Sequence, residues 1–222
     1  MEFGNTYIFL FGFKIFEPTV ILTNFLIFLV SLYYFRQLRV LENKYAKQTA
    51  VFVLFMGIST CFASVDHGAQ YQLGKTFFRI ILFISHSFNL VALYYCFRAA
   101  FSLTSLSESL HKNIIYAASA ITLLLMVFIL IIPSFLIIKV SAGVVLIYSL
   151  VIHLINHRKK IPGTGLFALG VIVSFFSIIV HSLRIAISDW FNHKDIAHVI
   201  IAISLVVMCT GVKIYSKKNV SS

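Results

Sequence analysis

Charge is what this chain has least of. Only 11% of its 222 residues are charged, and just seven of those are acidic, against about a quarter charged in a soluble domain. With 60% hydrophobic and 15% aromatic residues and a mean hydropathy of +0.97, an ordinary soluble fold is excluded. Cysteine is also sparse. Cys61, Cys96 and Cys209 are scattered inside apolar segments with no CxxC spacing, so they read as small buried hydrophobes, not a disulfide framework. Internal repeats and low-complexity tracts are missing. The start lacks a basic region and an A-x-A-like site after its first apolar run, so no cleaved leader is expected. Residues 1–222 are read as one compact all-α transmembrane domain.

What charge there is leans basic. Eighteen basic residues minus seven acidic ones give a formal net charge of +11. Most Lys and Arg lie between apolar runs, where they set orientation and meet anionic headgroups. Membrane lipids, and no nucleic acid, are the expected partners.

A spanning helix needs about 20 mostly apolar residues. Seven stretches qualify, approximately 18–35, 46–66, 77–97, 114–132, 135–155, 166–187 and 195–214. Pro133-Ser134 separates the fourth from the fifth as a helix breaker, and "KKIPGTG" divides the fifth from the sixth. The Phe-rich stretch 3–16, interrupted by Lys14, is too short to span and is expected to be an interfacial helix. Arg36, Arg39, Lys44, Lys47, Arg98, Lys112, Arg158, Lys159, Lys160, Lys213, Lys217 and Lys218 fall on one side of this layout. The other side carries Lys14, Lys75, Arg79, Lys139, Arg184 and Lys194. The positive-inside rule then predicts the N-terminus outside and the C-terminus in the cytoplasm.

With that topology, polar residues converge on the outer half of the bundle. Helix 2 ends in "STCFASVDHGAQYQ", bringing Ser64, Asp66 and His67 to the outer boundary. Helix 6 brings His181 within ~10 Å of its outer end at 1.5 Å rise per residue. Helix 7 starts outside, with His193 and His198 near the same level. Glu17, just before Pro18, joins them, with Asn24 deeper, and His86 on helix 3 lies ~14 Å down. His153 and His157 near the other end of helix 5, and His111 in an inner loop, read as solvated interfacial residues. Ionisable residues at membrane depth are costly and default to functional candidates. Neutral imidazole suits zinc, and a nearby carboxylate can orient a ligand or take a proton. A single buried His, such as His86 or His181, is more often a hydrogen-bonding core residue. His193 and His198 are five apart, ~140° around a regular helix, so both cannot face one ion from it. If Asp195 is the N-cap, His193 belongs to the preceding loop and can fold back to the site. If Asn192 is the N-cap, with Asp195 at the third helical position, His193 sits on the helix and its claim weakens.

Seven helices, a Ser/Asp/His group on helix 2 and a His pair on helix 7 resemble the CREST superfamily. It includes the alkaline ceramidases, the adiponectin-type (progestin and adipoQ) receptors and a group of bacterial seven-helix proteins. The stretches carrying the likeness are "FEPTVILTN", "SVDHG" and "FNHKDIAHVI", about thirty residues within a layout shared along the chain. The resemblance implies zinc held by His67, His198 and, more loosely, His193, with His181 or His86 as alternates. It also implies a bacterial inner-membrane protein with its polar site toward the outer face. The ceramidase pattern is Ser-x3-His on helix 2 and His-x3-His on helix 7. Here Ala63 stands four before His67 with Ser64 three before, and Lys194 stands four before His198. Asp66, beside His67, differs from that family's separately placed aspartate.

The leading expectation is a zinc-dependent intramembrane hydrolase of a lipid amide or ester. Asp66, or else Glu17, would accept the proton. Ser64 would stabilise the oxyanion, although a helix hydroxyl more commonly bonds its own backbone. The alternative is a non-enzymatic seven-helix lipid-binding receptor, or a pH or ligand sensor with a structural polar cluster.

Overall fold

The computed structural model describes residues 6–69, 74–132 and 134–219. Pro133 and residues 3–5 of the expected interfacial helix lie outside them. Where a helix was expected over 3–16, two four-residue strands, β1 (Tyr7–Leu10) and β2 (Phe13–Phe16), pair antiparallel with Leu10 opposite Phe13. Phe11 and Gly12 between them take φ of 51° and 82°. This is the doubly left-handed two-residue turn whose twist matches paired strands, and glycine at its second position makes it affordable. The segment closes its backbone bonds as a hairpin instead of one short helix, while Phe9, Phe11 and Phe13 stay exposed.

Among the described residues seven helices follow: α1 (Pro18–Leu38), α2 (Lys44–Ala69), α3 (Gly74–Phe101), α4 (Glu108–Ile131), α5 (Phe135–Arg158), α6 (Thr164–Leu183) and α7 (His193–Asn219). All seven are long and apolar enough to cross a membrane. Most run longer than their apolar stretches, because polar end turns continue the helical hydrogen bonding. α6 is the exception and stops at Leu183, not 187. Arg184 turns left-handed (φ 53°), and Ile185 N–H reaches back to the Val180 carbonyl at 3.1 Å, the bond of a Schellman-type helix end.

Packing order closes a ring. α1 lies between α2 and α7, α2 packs on α3, α3 on α5, α5 on α6, and α6 on α7. α4 lies outside the ring against α3 and buries Ile129 in a small cluster with Leu90, Leu93 and Ile138. The larger core runs through the ring, from Ile27 and Val53 to Phe167, Met208 and Val212. α6 and α7 approach closely enough that a Cβ on Gly211 would sit 2.5 Å from the Gly163 carbonyl oxygen. Small residues that let backbones meet are a common device of helix pairs in lipid.

The far end of the ring corrects one expectation. His153 is not a solvated interfacial residue but fully buried. It stacks on Phe167 with centroids 3.9 Å apart, donates Nδ1–H to the Ser149 carbonyl at 2.6 Å, and accepts from the Tyr45 hydroxyl at 2.7 Å. Both ring nitrogens are satisfied, which is what lets an imidazole sit in a core. His157 is exposed.

Candidate functional site

Glu17 is the hub of the opposite end. Its backbone is left-handed (φ 44°) immediately before Pro18, a conformation that costs a non-glycine residue free energy and clusters at functional sites. The hairpin and α1 hold it there, with Glu17 N–H bonded to the Thr6 carbonyl at 2.8 Å. The residue is 5% exposed, and its carboxylate bridges two helices. His67 Nδ1 of α2 meets Oε2 at 2.6 Å, and Lys194 Nζ of α7 meets Oε1 at 2.6 Å. Burial pushes the Glu17 carboxyl upward, but His67 and then Lys194 outweigh it, holding the group down at about 2. It is a carboxylate at any physiological pH.

A second chain of polar contacts runs beside the first. Asn192 caps α7. Its Oδ1 accepts Lys194 N–H at 2.9 Å, while Asp195 reaches back to Asn192 N–H at 2.9 Å, a reciprocal capping box. Of the two alternatives for the start of this helix, Asn192 is the cap, and His193 is its first residue. Asp195, fully buried, also accepts from Thr19 at 3.4 Å and Thr23 at 3.3 Å. Thr23 Oγ1 in turn lies 3.1 Å from His198 Nδ1. The Thr23 hydroxyl has one proton for its neighbours, the Val20 carbonyl at 3.2 Å and Asp195 at 3.3 Å among them, and when it donates to either oxygen, His198 donates Nδ1–H to Thr23.

His67 and His198 are thus alike in one respect. Each has Nδ1 engaged by an oxygen partner, and among the described residues neither Nε2 has a hydrogen bond. An imidazole whose Nδ1–H is held by a carboxylate or its relay presents a basic, oriented Nε2, the usual dress of a metal-ligating histidine. Two further polar atoms of the cluster are buried without partners, Asp66 Oδ1 and His193 Nδ1. Buried polar atoms are rarely left so, and such a set fits a group that supplies the missing contact. Among the described residues, however, no three His, Cys, Asp or Glu side chains stand together closely enough to hold a metal as they are.

The remaining candidates divide. His193 turns toward His181, with ring centroids 5.2 Å apart and edge to face. His181 and His86 both lie 5.9 Å from the Phe135 ring, and His86 Nδ1 is buried without a partner. Ser64 donates to the Thr60 carbonyl at 3.1 Å and the Ile21 carbonyl at 3.4 Å, the fate of most helix hydroxyls, so it is not free to meet an oxyanion. Asn24 is likewise turned to its own helix, donating to the Val20 carbonyl. Sequence reasoning missed Thr19, Thr23 and Lys139. The four-residue spacing of the two threonines, which puts them on one helix face, was the available signal.

Residues 19–217 match the model of a family of unknown function, DUF6962. The chain belongs to that family. No curated protein matches it. In this DUF6962 chain the matched region covers all seven helices but for the first residue of α1 and the last two of α7, and every candidate site residue except Glu17, which lies two residues before its start.

Proposed function

We propose that this chain is a zinc-dependent intramembrane hydrolase cleaving an amide or ester of a membrane lipid. In this reading α1 to α7 all span, with the N-terminus outside and the Glu17 end of the ring at the outer face of a bacterial inner membrane. The loop charges support that orientation. The observation carrying the proposal is the pair of imidazoles on α2 and α7 whose Nδ1 atoms are both engaged: His67 by Glu17 at 2.6 Å, and His198 by Thr23 at 3.1 Å with Asp195 behind it.

His67 and His198 would hold the zinc through Nε2. Bound zinc would supply a Lewis acid for the lipid carbonyl and a nucleophile at neutral pH. The chain's own residues do the rest. Glu17 fixes the His67 ring through Nδ1 and leaves Nε2 to face a ligand. Thr23, with Asp195 3.3 Å behind it, orients the His198 ring in the same way. Asp66, next to His67 in the chain and with a buried and unpartnered Oδ1, is the proton acceptor. The apolar interior of the ring takes the acyl chain.

Lys194 favours a second reading. It stands where the ceramidase pattern has a histidine, and its ammonium occupies one oxygen of the Glu17 carboxylate. A fixed positive charge there opposes a dication, and a seven-helix lipid-binding receptor or sensor would need none. Elemental analysis of the purified chain, with His67→Ala and His198→Ala, separates the two. One zinc per chain, lost in both variants along with fatty-acid release from ceramides, acyl-amides or lysolipids, is expected. A metal-free wild type that binds lipid without cleaving it would overturn the hydrolase.

A further inference from the structure

Next to the Glu17 hub, where α5, α6 and α7 meet, lies a corner rich in positive charge and poor in acid. Lys139 Nζ of α5 sits 3.4 Å from His181 Nδ1 of α6 and 5.1 Å from the Phe135 ring. His181 in turn faces His193 of α7 edge to face. Arg184, held in its left-handed conformation at the end of α6, is a charged neighbour of His193, and Lys194 is a neighbour of both imidazoles. The two acids whose charge acts on His193 are already engaged, and Asp189 on the α6–α7 segment is exposed. Glu17 is bridged by His67 and Lys194, and Asp195 by the capping box and two threonines. Among the described residues, neither Lys139 nor Arg184 has a carboxylate partner. Lys139 beside His181, Arg184 whose charge acts on His193, and a buried His193 nitrogen that lacks a hydrogen bond leave the corner short of an anion.

The surroundings indicate what carries that anion. Leu136, Val140, Ile179, Leu183, Ile185 and Ile187 flank the corner and are all exposed. Trp190, on the segment joining α6 to α7, is 47% exposed, and tryptophan is a residue type that collects where membranes meet water. Anionic charge with acyl chains attached fits both halves of this surface, since juxtamembrane Lys and Arg draw anionic headgroups and apolar flanks receive the tails.

We propose that the corner formed by Lys139, His181, Arg184 and His193 is a binding site for the phosphate headgroup of an anionic membrane lipid. Lys139 and Arg184 pair with the phosphate oxygens by charge-assisted bonds, and His193 donates its Nδ1–H. The site does not depend on zinc or on hydrolysis, so it stands or falls apart from the preceding reading.

Trp190 is the sole tryptophan of the chain, which makes it a local reporter. The full chain is placed in phosphatidylcholine nanodiscs containing a few mole per cent of a lipid with brominated tails, and quenching of Trp190 is measured. Brominated phosphatidylglycerol is expected to quench at lower mole fraction than brominated phosphatidylcholine. Lys139→Gln and Arg184→Gln should each reduce that preference about fivefold, whereas Arg36→Gln at the other end of α1 should leave it intact. Arg184 is exposed, so its variant folds even if the Lys139 variant does not. Equal quenching by both lipids, or a preference unchanged in Arg184→Gln, overturns the proposal. Stronger quenching by brominated oleate than by phosphatidylglycerol, or loss of the preference on adding millimolar inorganic phosphate, would reassign the corner to a carboxylate or to free phosphate and overturn the lipid assignment.

Discussion

Replacing Glu17 by Gln keeps the shape of the side chain and removes the charge that joins α1, α2 and α7. The folded carboxyl lies at about 2 against an ordinary 4.5. That gap of 2.5 units corresponds to ~3 kcal/mol at 1.36 kcal/mol per unit. The Glu17 side chain is 7% exposed, but His67 and Lys194 are 24% and 29% exposed, so solvent screening brings the expected loss to about 2–3 kcal/mol. For a chain of this length that is a fall in Tm of roughly 5–10 °C. A thiol-reactive dye reads it directly in detergent, because Cys96 and Cys209 are both fully buried and react only on unfolding. A carboxyl whose folded value lies below its unfolded one stabilises above pH 4.5 and ceases to as pH falls through about 2. The deficit of Glu17→Gln should therefore be full at pH 7 and shrink below pH 4.5. Adding Lys194→Met, which removes the ammonium left without its partner, should recover part of it. A Tm shift under about 2 °C at pH 7, or a deficit that grows on acidification, would refute the assignment of Glu17 as the charged hub.

Three more outcomes follow from the packing. Gly211→Ala drives a methyl group to 2.5 Å from the Gly163 carbonyl and 2.9 Å from Phe167 N. It should cost about 1–3 kcal/mol, while Gly143→Ala, with open space around it, lowers Tm not at all. His153→Phe leaves the Tyr45 hydroxyl without its partner and should cost about 1–3 kcal/mol, with Tyr45→Phe in the same chain restoring a good part in the dye assay. Asp195→Ala removes the reciprocal cap of α7, worth about 1 kcal/mol. It should also speed hydrogen exchange at Asn192 N–H, and unchanged exchange there would contradict the cap.

The seven helices were legible because each carries an apolar run long enough to declare itself. Less legible was what depends on partners distant in sequence. The hairpin escaped because its strands are only four residues long, with Lys14 the single polar break in an otherwise apolar run; Gly12 after Phe11 was its visible mark. His153 looked interfacial because it stands five residues from a basic helix end, and nothing local announces that Tyr45, 108 residues away, offers it a hydroxyl. At the candidate site the residue types were readable and their pairing was not. Glu17 was weighed as a proton acceptor, and its bridge between His67 and Lys194 was not foreseen. His193 could be placed only by deciding between two caps, a choice settled by the backbone of Asn192.

The position of α4 bears on how this chain can vary. Because the other six helices close on each other without it, α4 answers to its surroundings more than to its neighbours. Ile129 is its one fully enclosed side chain among the described residues. Exchanges among Leu, Ile, Val and Phe along its outer faces should pass almost unfelt, and a charge placed there would be penalised by the solvent rather than by any partner. The same freedom makes α4 the natural place to attach a label or a fusion without disturbing the histidines at the opposite wall.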